Sequence, residues 1–170
     1  MPDDVRGFTM MELMVVVAVV SVLAAMAFPN FRQVIRSNRV SSRTDELISS
    51  IALARSEAVS STHGGGLCPS ANGDACDGQW SQGWLVWSDA NGNSIFDNGE
   101  AVLRYVQGSP QLFVSVKDPL PIVFDAHGLR RASNDQVVTL RPDNCGGQPL
   151  QRTVTITATG LAKVEKGACQ

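Results

Sequence analysis

A short polar segment in the middle of the chain has the residue types and spacing of a calcium-binding loop. Counted from Asp89, oxygen-bearing side chains stand at positions 1, 3, 5, 9 and 12 of an EF-hand-type loop, whose position 7 contributes a backbone carbonyl. The side chains belong to Asp89, Asn91, Asn93, Asp97 and Glu100, and Ile95 would supply the carbonyl. Position 6, usually glycine, is Ser94. Two interpretations stay open, a calcium site and a hairpin tip, because turns favour the same Asn and Gly residues.

Residue patterns typical of enzymes are missing from the sequence. Only His63 and His127 could act as imidazole bases, no G-x-S-x-G motif is present, and the carboxylates are scattered. The glycine run 64–66 is not followed by Lys and Ser or Thr, so it is no phosphate-binding loop. We therefore expect no catalytic residues and no enzymatic activity.

The cysteines predict structural disulfides. The chain has four, at Cys68, Cys76, Cys145 and Cys169. None lies in a Cys-x-x-Cys pair, which argues against a zinc site. Four cysteines allow three pairings. We favour Cys68–Cys76, which closes a short polar loop, and Cys145–Cys169, which ties the C-terminus to a preceding loop. An even cysteine count after an apolar segment indicates an oxidising compartment.

Charge argues against a nucleic-acid-binding domain that could be recognised from its bulk composition. The chain carries 14 Lys and Arg against 16 Asp and Glu, a net charge of −2. Basic residues in the C-terminal part could still contact DNA phosphates if loops brought them together. The candidates are Arg130, Arg131, Arg152, Lys163 and Lys166. The alternative is a mixed, solvated surface.

An apolar segment near the N-terminus predicts a membrane span over 8–28. Its 21 residues contain one charge, Glu12. A helix rising about 1.5 Å per residue would cross the roughly 30 Å hydrocarbon layer over this length. A secretory signal peptide would have a basic start and a shorter apolar run, whereas residues 1–7 hold two Asp and one Arg. A carboxylate within an apolar span is costly and therefore a candidate for function.

The remaining chain predicts an α+β fold. The helix continues past Pro29 to about Ser61, and glycines 64–66 are expected to end it. One helical stripe is apolar and would pack on a sheet: Val40, Leu47, Ile51, Ala54 and Ala58, with Thr44 between them. A second stripe is basic: Arg32, Arg36, Arg39 and Arg43. Short β-like runs follow at 84–87, 101–106, 112–116, 121–124, 137–140 and 153–157. We expect a long helix whose C-terminal half packs on an antiparallel sheet.

The N-terminal segment GFTMMEL at 7–13 resembles the class III signal of type IV prepilins and type II secretion pseudopilins. This resemblance implies that residues 1–7 are a leader, which prepilin peptidase removes between Gly7 and Phe8, and that Phe8 is then N-methylated. Glu12 would be the fifth mature residue and Pro29 the twenty-second, both matching the family's pattern. It further implies that Glu12 acts in assembly by pairing with the amine of an adjacent subunit.

Later segments are similar to the GspH/FimT branch of these proteins, namely 53–59, 123–128 and 155–160. The resemblance implies a membrane-spanning half at 8–28, an amphipathic helix half at 29–61 and a β-rich head at 62–170. It also implies anchoring in the inner membrane with a periplasmic head, and partners among other major and minor pilins or pseudopilins. The role would be that of a priming or tip subunit.

An alternative role follows from the same branch. FimT-type members are implicated in binding double-stranded DNA during natural transformation, and they carry a Gly-Arg-x-Arg motif near the C-terminus. The corresponding residues here are Gly160, Leu161, Ala162 and Lys163, which lack both arginines.

Overall fold

The computed structural model describes residues 8–169, without the side chains of residues 26–30. The predicted leader at 1–7, including Gly7, lies outside the described residues. The described part contains one helix, α1 (Met10–Ser61), followed by eight strands. These are β1 (Gly64–Pro69), β2 (Gly83–Ser88), β3 (Val102–Gln107), β4 (Leu112–Val116), β5 (Ile122–Asp125), β6 (Gln136–Pro142), β7 (Gln151–Ile156) and β8 (Ala162–Gly167).

The chain divides after Ile35 into two compact units. In the first, the Thr9 hydroxyl accepts a hydrogen bond from the Glu12 N–H at 3.2 Å and so caps the start of α1. Large apolar side chains of this unit are exposed, as Met10 and Leu23 illustrate. Among the described residues, no helix combines the length and apolarity needed to cross a membrane. The span over 8–28 stays a prediction.

The second unit confirms the apolar stripe of α1. Its six members are at most 3% exposed: Val40, Thr44, Leu47, Ile51, Ala54 and Ala58. They join one core cluster with apolar side chains of both sheets, among them Trp84, Phe124 and Ile156. The α+β architecture, with a long N-terminal helix and antiparallel sheet, is therefore as predicted.

The head contains two four-stranded antiparallel sheets in its described residues, whereas the sequence predicted one sheet. Their strand orders are β3-β2-β1-β5 and β4-β6-β7-β8. Six of the strands match predicted runs, but β1 and β8 were not predicted. The sequence of β1 is GGGLCP and that of β8 is AKVEKG. β1 lacks the alternation of apolar and polar residues by which half-buried strands are recognised, and β8 alternates over only its first four residues.

The glycines at 64–66 were wrongly assigned as the helix stop. Thr62 takes the left-handed conformation after α1, with φ of 62°, and the glycines form the first half of β1. They are needed there because β1 passes close to its neighbours. A Cβ at Gly65 would overlap the Ala54 carbonyl of α1, and a Cβ at Gly66 would overlap the indole ring of Trp87.

Two arginines of the basic stripe attach α1 to the head. The Arg43 guanidinium lies 5.4 Å from the Trp84 ring centroid and donates to the Gln107 carbonyl at 2.7 Å. Arg39 donates to the side-chain oxygen of Gln111. These two side chains of the basic stripe therefore serve internal packing.

Both favoured disulfides are present. One joins Cys68 of β1 to Cys76, and the other joins Cys145 to Cys169. The first closes a polar loop whose Ala71 carbonyl accepts a hydrogen bond from the Tyr105 hydroxyl at 2.7 Å. The second holds the end of the chain against the segment after β6.

Candidate functional site

Among the described residues of the N-terminal unit, 8–35, the one carboxylate is that of Glu12, in the apolar first part of α1. Phe8 is 80% exposed, and Glu12 is also exposed, one turn further along the chain. In the described part of the chain, the Glu12 carboxylate makes no hydrogen bond or ion pair, and only its backbone N–H is bonded, to Thr9. A carboxylate in this position is available to a cationic group outside the chain.

Arg55 connects three separate segments of the head. Its Nη1 donates to the Gly160 carbonyl at 3.3 Å. Gly128 and Gly160 both have positive φ, 73° and 77°, and both lie close to this side chain. A Cβ at Gly128 would lie 2.9 Å from the Arg55 Nε, and one at Gly160 would lie 3.2 Å from it. We call these three residues the arginine junction. No pattern in the sequence indicates a contact between these three segments.

Next to the arginine junction lies an open apolar groove of about 650 Å³, between α1 and the turn that leads into β8. Val59 and Leu161 border it and are 50% and 62% exposed. Leu161 stands where FimT-type members have the first arginine of their motif, so this edge of the groove is apolar here.

Two of the five candidate DNA-binding cations are buried. Arg130 is 8% exposed and donates through Nη1 to the carbonyls of Asn134 and Ile156, at 2.7 and 3.0 Å. Its Nη2 donates to the Gln136 side chain at 2.9 Å. Burial lowers the pKa of the Arg130 guanidinium, an effect opposed by nearby acidic residues. Arg152 is 6% exposed and donates to the Gln151 carbonyl at 3.1 Å.

The other three candidates do not form one patch. Arg131 donates to the Gly92 carbonyl, to the Ser94 hydroxyl at 3.0 Å and to the His63 carbonyl at 3.2 Å. Lys163 and Lys166 are three residues apart in β8. Because successive side chains of a strand point to opposite faces, these two lysines lie on opposite faces of the sheet.

Lys163, the last residue of the variant motif, is paired. Its ammonium lies 2.6 Å from a carboxylate oxygen of Glu165. The hydrogen bond and charge of Glu165 raise the pKa of Lys163, and Lys163 lowers the pKa of Glu165 in return. The cation retained in the motif is thus partly neutralised by its neighbour.

The polar loop at 89–100 is internally hydrogen-bonded. Asp97 Oδ2 accepts from the amide groups of Asn91 and Asn93 at 2.9 and 2.6 Å, which lowers the pKa of Asp97. Glu100 reaches back to accept from the Ala90 N–H at 2.9 Å. Over residues 8–169, no group of three or more His, Cys, Asp or Glu side chains is close enough to hold a metal ion. Calcium binding here stays a prediction.

Two models of known protein families match the sequence of this chain. Residues 43–160 match the family described as type II transport protein GspH, which covers more than half of the sequence. The chain belongs to the GspH family. Residues 3–28 match the prokaryotic N-terminal methylation motif, which includes both Phe8 and Glu12. The resemblance found in the sequence is thereby confirmed.

Solved structures agree with this assignment of the GspH-family fold. Two crystal forms of the type IV minor pilin FimU from Pseudomonas aeruginosa (strain PAO1) are similar, each with 22% sequence identity. In space group P21 the TM-score is 0.59 over 78% of this chain and 94% of FimU. In space group P65 it is 0.55 over 76% and 97%. A comparison with curated proteins gave no match.

The family match includes the arginine junction. All three of its residues lie within the matched region, Gly160 at its last position. The GspH family and fold are those of structural, non-enzymatic filament components, and the methylation motif indicates an N-terminus of the membrane-anchored pilin type. The chain therefore belongs with type IV pilus or type II secretion pseudopilus assembly.

Proposed function

We propose that this protein is a minor pilin or pseudopilin that primes or terminates a filament. Prepilin peptidase would cut between Gly7 and Phe8, and Phe8 would be N-methylated. The mature subunit would wait in the inner membrane with its head in the periplasm and then assemble with other major and minor subunits. The observation that carries the proposal is the Glu12 carboxylate, which has no partner among residues 8–169 and lies in the apolar first part of α1, within the match to the methylation motif.

Glu12 would act by pairing with the N-terminal amine of an adjacent subunit. A lone carboxylate is costly in an apolar surrounding, and an opposite charge offsets this cost only when the two groups meet closely. Removal of the leader creates such a cation at Phe8, only four residues before Glu12. A neighbour shifted slightly along the helix axis would therefore bring amine and carboxylate together.

The test is incorporation of Glu12→Ala and Glu12→Gln chains into filaments in the cells that make them. Sheared filaments and membranes are compared by immunoblot, and mass spectrometry of the N-terminus verifies cleavage and methylation. Both variants should be processed normally but recovered in filaments about tenfold less, the change that corresponds to about 1.4 kcal/mol. Ser21→Ala is the matched control, since it removes a polar group from the same helix without removing a charge. Normal incorporation of processed Glu12→Ala chains would refute the pairing.

A pilus-associated DNA receptor is the second function that the family resemblance allows. Its support is limited to the exposed lysines of β8, because Arg130 and Arg152 are buried. Arg131 is hydrogen-bonded to the backbone carbonyls of Gly92 and His63. We favour the assembly role for this reason.

A further inference from the structure

Asp89 is a buried carboxylate with an unsatisfied oxygen. The residue is 0% exposed, and its Oδ1 has no hydrogen-bond partner among the described residues. Its Oδ2 accepts from the Ser94 N–H at 3.0 Å, which directs the carboxylate into the loop, and lies 3.7 Å from the Arg131 guanidinium. A buried charged oxygen without a partner is costly, so a cation or a water molecule beside Oδ1 would stabilise the loop.

The other oxygen-bearing side chains of the loop form two groups. Asn91, Asn93 and Asp97, at positions 3, 5 and 9, are held together by the two amide bonds to Asp97. Glu100, at position 12, is folded back onto Ala90, next to Asp89 at position 1. The first and last positions of the loop are thus brought together, as a bidentate ligand at position 12 requires.

Ser94 adopts the backbone conformation expected at position 6. Its φ is 70°, in the left-handed region, where calcium loops of this length carry glycine for their sharp turn. Serine holds this conformation at a cost in strain. Ser94 therefore makes the left-handed turn that glycine makes at this position.

We propose that the loop at 89–100 binds one calcium ion beside Asp89 Oδ1. The side chains of Asn91, Asn93 and Glu100 and the carbonyl of Ile95 would complete the shell, and Asp97 would act through a water molecule. The site has only two direct carboxylates, and Arg131 already balances part of the charge of Asp89. The dissociation constant should therefore lie in the range of extracellular modules, on the order of 10⁻⁴–10⁻³ M.

The experiment uses the full chain, purified in detergent and stripped with EDTA. Calcium and magnesium are titrated separately by calorimetry, and the melting temperature of the head is measured at each concentration. Calcium at ten times its dissociation constant should raise the melting temperature by about 3–6 °C. Magnesium at the same concentration should not, because it demands near-ideal octahedral geometry and keeps its waters.

Variants separate a specific site from a general charge effect. Glu100→Gln should weaken calcium binding at least about tenfold, the lower limit seen when groups supporting a metal are removed. Asp77→Asn removes the same charge from an exposed position in another loop and should leave binding unchanged. Ser94→Gly should keep or tighten binding and shows that loop changes are tolerated. No calcium-dependent heat or melting shift up to about 10 mM, or equal responses of Glu100→Gln and Asp77→Asn, would overturn the proposal.

Discussion

Arg55 on the helix and Gly160 before the last strand are bonded across 105 residues of sequence, from Nη1 to the carbonyl oxygen at 3.3 Å. Gly128 lies beside the same side chain, since a Cβ at this glycine would be 2.9 Å from the Arg55 Nε. The arginine junction therefore links α1 to the turns after β5 and β7.

The glycines of the arginine junction should be intolerant of any side chain. A methyl group at Gly160 would overlap the Gly128 carbonyl and approach Arg55 at 3.2 Å. Gly160→Ala should therefore cost about 2–4 kcal/mol of unfolding free energy, the sum of left-handed strain and overpacking. Denaturant unfolding of the full chain in detergent measures this value.

Gly147 provides a matched control for the same substitution. Its φ of 74° is close to that of Gly160, but nothing lies within 4 Å of the position of its Cβ. Gly147→Ala should cost only the conformational strain, about 1 kcal/mol. Equal losses for the two variants would contradict the close packing at Gly160.

A second prediction concerns the hydrogen bond between α1 and Trp84. The Trp84 indole N–H donates to the Ser50 hydroxyl at 3.0 Å inside the core. Ser50→Ala would leave this buried donor unsatisfied and should cost about 1–3 kcal/mol. Ser49→Ala removes the neighbouring hydroxyl, which accepts from Arg104 at an exposed site, and should change stability by no more than about 0.5 kcal/mol. Thermal unfolding of both variants compares them, and a smaller loss for Ser50→Ala would refute the assignment.

Acid should weaken the hydrogen bonds that Asp97 accepts in the polar loop. Hydrogen bonds from Asn91 and Asn93 lower the pKa of Asp97 below its ordinary value. Their stabilising effect is therefore present above the pKa of the unfolded chain and is lost as the pH falls through the lower pKa of the folded state. An NMR titration of the Asp97 carboxyl should show this low pKa in the native chain. The Asn91→Ala, Asn93→Ala double variant should return it towards the ordinary range, and no change would contradict the amide bonds.

Local patterns predicted the helix, its buried stripe and six strands, because these depend on hydrophobic periodicity. The sequence could not reveal β1, since the closeness of Ala54 and Trp87 that requires Gly65 and Gly66 exists only in the folded head. It also could not separate buried arginines from exposed ones. Arg130 is buried where the carbonyls of Asn134 and of Ile156, 26 residues away at the end of β7, accept its hydrogen bonds, and no pattern in one sequence records that.

The placement of the basic residues predicts that the head does not bind DNA. Arg130 and Arg152 are buried, Arg131 is bonded to internal carbonyls, and Lys163 is paired with Glu165. Phosphate binding needs several free cations on one surface, whose effect on affinity falls as the salt concentration rises. The full chain in detergent, titrated with fluorescent double-stranded DNA at several salt concentrations, should show no salt-dependent binding.

Variants of the charged residues of β8 test the prediction that the head does not bind DNA. Lys163→Ala and Lys166→Ala should leave the DNA titration unchanged, and Glu165→Gln, which frees Lys163, should increase any residual binding. Binding by the native chain that weakens with salt and with both lysine variants would instead identify a DNA receptor with a different basic patch. Because Glu12 lies in the other unit of the chain, that result would leave its proposed role in assembly untouched.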